Sequence, residues 1–377
     1  MTSMNAPWVK HPGYYIREEM EARGWLQRDL AFILGCTDQS LNVILSGKRG
    51  VSPEMAKAFG DAFDVQAEFF LNLQKSFELS RAAEPAPDVA KRARLQNSYP
   101  VREMIKREWL EESDAALIEE QLCRFFRVGD SSEVPYLEHA AKKSNYEKRE
   151  VPPEQLAWLF RVKQIASQIA APSYSEQALR EALVELESLR IAPEEVRHVP
   201  RILMNCGVRY ILAEKLPGSL IDGVCFWLDS DSPVVGMSLR HDRIDNFWFV
   251  LRHEIEHVLQ NDGQAEEIID ASLEGERAGV SENIPEQERR ANREAAEFCT
   301  PQKRLKSFLQ RKHPFYYERD VIALARVLQV HPGLVVGQMQ RHLDRWAYLR
   351  RHQKKIRSLV TPGAIVDGWG QVAPVSI

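Results

Sequence analysis

The sequence predicts a mainly helical α+β chain assembled in parts, and three observations carry that expectation. Short helices punctuated by glycine fill residues 8–80, and longer helix-periodic runs occupy 89–205. Strand-like runs separated by turn signals appear only after residue 205. A length of 377 residues favours two or three domains over one core, and 44% hydrophobic with 28% charged residues is ordinary for a globular chain. No uninterrupted apolar run approaches the ~20 residues that cross a bilayer. The opening Met1-Thr2-Ser3-Met4-Asn5 lacks the charged-then-apolar layout of a signal peptide, so a cytoplasmic location is expected. Cys36, Cys123, Cys206, Cys225 and Cys299 are odd in number and contain no Cys-x-x-Cys pair, which reads as reduced thiols. The net charge of −4 selects no partner.

In the N-terminal part, a first helix spans residues 14–22 and closes at Gly24. A second starts at Gln27 and stops at Gly35-Cys36. Thr37, a good N-cap, opens a third from Asp38 to Leu45, ended by Ser46-Gly47. Two short helices joined by a glycine-containing turn describe a helix-turn-helix. In that arrangement Gln39, Ser40 and Asn42 face the major groove of DNA, and Gln27, Arg28, Lys48 and Arg49 address phosphates. Such modules commonly pair on two half-sites, so a homodimer is one expectation. Residues 1–80 nonetheless carry eight Lys and Arg against ten Asp and Glu. That balance suits a polyanion poorly, and a protein-docking role is the competing reading.

Ala83-Glu84-Pro85-Ala86-Pro87-Asp88 reads as a linker. After it, residues 104–126, 153–171 and 175–189 make 89–205 a helical connector. Residues 206–345 form the next domain, opening with strands at 208–212, 223–228 and 233–238. A small antiparallel sheet is expected there, with 233–238 read equally as an open edge for an extended peptide or as an ordinary core strand. Residues 346–377 are a C-terminal tail, read equally as loose or as an arm across the domain.

The chemistry concentrates in Trp248-Phe249-Val250-Leu251-Arg252-His253-Glu254-Ile255-Glu256-His257. On a helix, residues four apart share a face, so His253 and His257 can reach one metal ion. Glu254, one step round, can hold and deprotonate water on that metal: this is the zinc-peptidase arrangement. A third ligand is needed, and residues 285–299 read as a second helix whose inner face carries Ala291, Ala295 and Phe298. Glu288 shares that face and is the expected third ligand, with Glu294 as its rival. Asn292 is placed to orient a ligating imidazole. His313, Tyr316, Tyr317 and His331 are candidate oxyanion donors. The acidic stretch 262–288 reads as a surface loop or as a lid.

The pairing resembles the ImmA/IrrE metallopeptidase family, in which a His-Glu-x-x-His helix precedes a helix of the form Glu-x-x-Ala-Asn-x-Phe-Ala. Here the second helix reads Glu288-x-x-Ala291-Asn292-x-Glu294-Ala295, and Glu256 stands where glycine is frequent. The resemblance covers about residues 200–345 and implies a zincin-like fold. The first 80 residues resemble the HigA-type antitoxin DNA-binding domain, a lambda-repressor-like fold. They do so through His11-Pro12-Gly13, Leu30-Ala31, Leu34-Gly35, Gly47-Lys48-Arg49 and Ser52-Pro53-Glu54-Met55-Ala56. Together these imply a DNA-binding regulator with Zn2+-dependent endopeptidase activity whose substrate is a repressor or antitoxin-like protein. The alternative is a non-proteolytic, antitoxin-like regulator whose metal site is structural or sensory.

Overall fold

A computed structural model describes residues 9–86, 88–130, 151–264, 268–271 and 285–375; of 268–271 it gives the backbone alone. The chain divides into two compact units, Met1–Pro87 and Asp88–Ile377.

The first unit is five helices: α1 (Pro12–Arg23), α2 (Gln27–Ile33), α3 (Asp38–Leu45), α4 (Pro53–Phe63) and α5 (Ala67–Arg81). Their starts follow local chemistry. Thr37 and Ser52 accept backbone N–H bonds as N-caps of α3 and α4, and Pro12 and Pro53 occupy first helical positions where a missing N–H costs nothing. Leu26 has no oxygen to cap α2, and Asp29 compensates by accepting the Leu26 N–H at 2.7 Å. Ile16, Leu30, Leu41, Ile44, Phe59, Phe63 and Phe70 close the core. Gly13 permits the approach of α1 to α3, since a Cβ there would lie 2.5 Å from the Ile44 carbonyl oxygen.

The second unit opens with α6 (Asp88–Ser98), α7 (Val101–Lys106), α8 (Ala115–Phe126), α9 (Pro153–Gln168), α10 (Glu176–Leu189) and α11 (Val199–Asn205). Three strands follow: β1 (Arg209–Ala213), β2 (Ile221–Trp227) and β3 (Pro233–Met237). Next come α12 (Ile244–Leu259), β4 (Ile268–Ala271), α13 (Glu286–Cys299), α14 (Gln302–Lys312), α15 (Glu318–Leu328), α16 (Pro332–Leu343), the short α17 (Arg357–Val360) and β5 (Ile365–Asp367). The chain turns through 118° between α15 and α16. No single helix among the described residues is long and apolar enough to cross a membrane.

The sheet is mixed rather than antiparallel, in the order β4-β2-β3-β1-β5. β2 runs antiparallel to β3 and β4, whereas β1 is parallel to both β3 and β5. The expected open edge at 233–238 is therefore not available: β3 is buried throughout and paired on both sides. A strand buried on both faces reads as a continuous apolar run, which is what Pro-Val-Val-Gly-Met is.

The boundaries expected at 205 and 345 fall inside one unit. Trp158 of α9 donates to the Ala213 carbonyl at 2.8 Å, and Leu156, Val162 and Ile165 share a core with Ile211, Val224 and Val234 of the sheet. The C-terminal residues are an arm. Asp367 of β5 accepts from Arg161 of α9 at 2.8 Å and from the Trp109 indole N–H at 2.8 Å, with all three side chains buried. Removing one member of such a cluster strands the others in a poor solvent. Asp367→Ala should cost the second unit about 3–5 kcal/mol in urea unfolding and leave unfolding of the first unit unchanged.

His331 caps α16 by accepting the Gly333 N–H at 3.0 Å, which requires a neutral ring. Burial, with His352 and Lys354 next in effect, lowers its pKa to about 4. The folded value lies below the unfolded one of about 6.5, so this contribution is full above pH 6.5 and lost as pH falls toward 4. His331→Asn keeps a capping oxygen; its stability, followed by chemical denaturation, should fall less between pH 6.5 and 4 than that of the parent chain.

Candidate metal centre

Every residue of α12 is buried, including Asp245, Arg252, His253, Glu254, Glu256 and His257. The helix lies between the sheet, through β2 and β3, and the helices α13 and α16. His253 and His257 are one turn apart, and their Nε2 atoms approach to 3.1 Å. α13 crosses this face and brings Glu288, with carboxylate oxygens 3.5 Å from His253 Nε2 and 3.6 Å from His257 Nε2. All three side chains are buried, and their donor atoms lie within 4.8 Å of one another.

This donor set fits a tetrahedral divalent cation. Zinc–nitrogen bonds of about 2.0–2.1 Å set ligand–ligand edges near 3.3 Å, close to the three separations here. Glu288 Oε1 is buried with no hydrogen-bond partner, a costly state for a carboxylate that an ion would relieve. Glu294 is placed elsewhere: it is partly exposed and faces Arg252 at 3.7 Å.

The Glu254 carboxylate rests against β2. A Cβ at Gly223 would lie 2.0 Å from Glu254 Oε1, so only glycine leaves that space. A glycine inside an otherwise apolar strand run is a recognised sign of close approach, and it is the signal by which the sequence could have shown Gly223.

Ring orientation also comes from a residue the sequence reading passed over. The Nδ1 of His257 meets Asp262 Oδ2 at 3.1 Å, and Arg290 of α13 donates to the same oxygen at 2.8 Å. Asn292, expected in this role, keeps its Oδ1 buried without a hydrogen bond. Asp262 sits in the turn after α12, and its carbonyl accepts the Trp227 indole N–H at 3.0 Å, which docks the turn on β2. Glu256 is buried between Arg252, at 2.9 Å, and Arg290, at 3.5 Å. It thus ties α12 to α13, and a glycine there would leave Arg252 only the longer contact with Glu294. Of the candidate oxyanion donors, His331 is engaged through Nδ1 as the cap of α16. Most of the acidic stretch 262–288, including 272–284, lies outside the described residues.

In the first unit, Arg28, Gln39, Asn42, Lys48 and Arg49 are exposed on or beside α2 and α3. Ser40 and Gln27 are engaged locally. The Ser40 hydroxyl accepts from Thr37 at 2.9 Å, and Gln27 donates to the Asp38 carbonyl at 2.9 Å, joining α2 to α3.

A steric test isolates the Gly223–Glu254 approach. Gly223→Ala should destabilise the second unit by about 1–3 kcal/mol, and most of that loss should vanish in a Glu254→Ala background. Equal losses in both backgrounds, measured in a double-mutant cycle by urea unfolding, would show that the two groups do not compete for space.

Comparison with known proteins finds matches in both units. A family model described as helix-turn-helix matches residues 16–70, and one described as IrrE N-terminal-like domain, a peptidase family, matches 209–336. Over 79 residues the chain is 35% identical to Virulence-associated protein A' of Dichelobacter nodosus, spanning 21% of this chain and 69% of that protein. Among solved structures, Pseudomonas aeruginosa antitoxin HigA with the higBA promoter shares 33% identity over 19% of this chain and 79% of its own, with a TM-score of 0.19. PA4674 of the same organism, in complex with its operator DNA, shares 29% identity over 22% of this chain and 100% of its own, with a TM-score of 0.20. The chain thus carries a helix-turn-helix domain at residues 16–70 and an IrrE N-terminal-like domain at residues 209–336.

Proposed function

We propose that this chain is a DNA-binding regulator and a zinc-dependent endopeptidase that cleaves a repressor or antitoxin-like protein. The observation that carries the reading is the convergence of His253, His257 and Glu288 in one buried site with Glu254 on the next step of the same helix. His253, His257 and Glu288 would hold Zn2+, which supplies Lewis acidity, bringing water ionisation to about pH 7 and polarising a peptide carbonyl. Glu254, confined between α12 and Gly223, takes the proton of the attacking water and returns it to the leaving amine. Asp262 accepts the His257 Nδ1–H, leaving Nε2 as the ligand atom. Burial of the three ligands excludes competing solvent and strengthens each charge interaction.

The helix-turn-helix supplies the DNA-binding half of the proposal. Gln39 and Asn42 present amides from the exposed side of α3 to base edges, and Arg28, Lys48 and Arg49 present cations to phosphates. The relatives whose structures hold promoter or operator DNA lend support as proteins similar in sequence over this unit.

The deciding experiment couples cleavage to metal content. The chain is loaded with Zn2+ and incubated with repressors encoded beside it, and products are mapped by mass spectrometry. Glu254→Gln should retain one Zn2+ per chain and lower the cleavage rate by about 10²–10⁴-fold. Undiminished regulation in cells carrying Glu254→Gln would sink the proteolytic reading and leave the antitoxin-like one.

A further inference from the structure

Cations are segregated along this chain to a degree that its net charge hides. Residues 302–357 hold 14 Lys and Arg against three Asp and Glu, in a chain whose net charge is −4. The three carboxylates are already engaged: Glu318 with Arg351 and His352, Asp320 with Lys312, and Asp344 with the Trp346 indole. Lys303, Arg304, Lys306, Arg350, Lys354 and Lys355 are exposed and form no ion pair among the described residues.

The fold places these cations at the two ends of α16, with 350–355 bonded to its start through Gln353 and Gly333 at 3.1 Å and α14 held against its end. His342, at the end of α16, bonds Gln302 at 3.1 Å and so holds the start of α14 against it. Burial first, then Lys306 and Arg341, lower the His342 pKa, which places both cations beside that ring. Arg351 and Lys354 depress His352 in the same way after burial. A folded surface that crowds like charges without neutralising them stores repulsion, which a polyanion relieves by releasing its own counterions.

The helix-turn-helix unit has the opposite problem. Its first 80 residues are net acidic, whereas duplex DNA binding depends on phosphate neutralisation. We infer that the exposed cations of α14, the end of α16 and the segment 350–355 form a second, sequence-independent binding surface for the duplex DNA backbone. The inference stands without the peptidase reading and without any base contact from α3.

The test is binding of the full chain to a random-sequence duplex, followed by fluorescence anisotropy over a salt series. Each phosphate contact contributes about 0.9 to the slope of log K against log salt. Replacing Lys303, Arg304 and Lys306 together by Ala should flatten that slope by about 2–3 and weaken binding about tenfold or more near 0.1 M salt. Lys303→Arg with Lys306→Arg should keep the slope, and Arg350, Lys354 and Lys355 changed together to Ala provide an independent set should the first fold poorly. Far-UV circular dichroism and Zn2+ stoichiometry should be unchanged throughout. An unaltered slope in both alanine sets overturns the inference. So does loss of polyglutamate binding with DNA binding intact, which would assign the face to an acidic polypeptide. A slope that falls only in Lys48→Ala with Arg49→Ala returns all phosphate binding to the first unit and overturns it equally.

Discussion

A helix with no exposed residue must find partners for its ionisable groups, and four of the six on α12 show how the fold supplies them. Asp245 is met by Arg243 at 3.0 Å, itself bonded to Gln340, and burial still raises the Asp245 pKa. Arg252 and Glu256 meet each other, and Glu256 also faces Arg290. His257 is met by Asp262. The partners come from α13, α16 and the turns that flank α12, so polar satisfaction of one helix dictates where its neighbours must lie. Unpaired, these groups would cost several kcal/mol each, more than a domain's margin of stability allows.

That constraint explains the glycine and the carboxylate beside the site. The sheet must approach α12 closely enough to exclude water but not displace Glu254, and Gly223 is the point of contact. The turn after α12 must be held for Asp262 to reach His257, and Trp227 on β2 holds it. Positions on the same strand thus serve two groups of the centre, one by lacking a side chain and one by having a large one.

What the sequence made legible were features that rest on local periodicity. The 3.6-residue repeat placed His253, Glu254 and His257 on a buried helix and Glu288 on the inner face of the next. The caps and glycines marked α1 to α3 nearly residue by residue, though not α4 and α5. What escaped depends on distant packing. Ile365-Val366-Asp367 is too short for a strand pattern, and its place beside β1 is set by a buried Arg161 some 200 positions earlier. Asp262 looks like an ordinary turn residue until Trp227 and Arg290 fix it. Ser40 and Gln27 are polar residues of the right type that the fold uses for capping and bracing.

The parallel pairing of β5 with β1 ties synthesis to competence. The first unit holds its entire core within the opening 87 residues and can fold while translation continues. The second cannot neutralise Arg161 or complete its sheet until residue 367 has left the ribosome. A nascent chain therefore holds a finished helix-turn-helix well before its second unit is complete, and any premature stop between them yields the former without the latter.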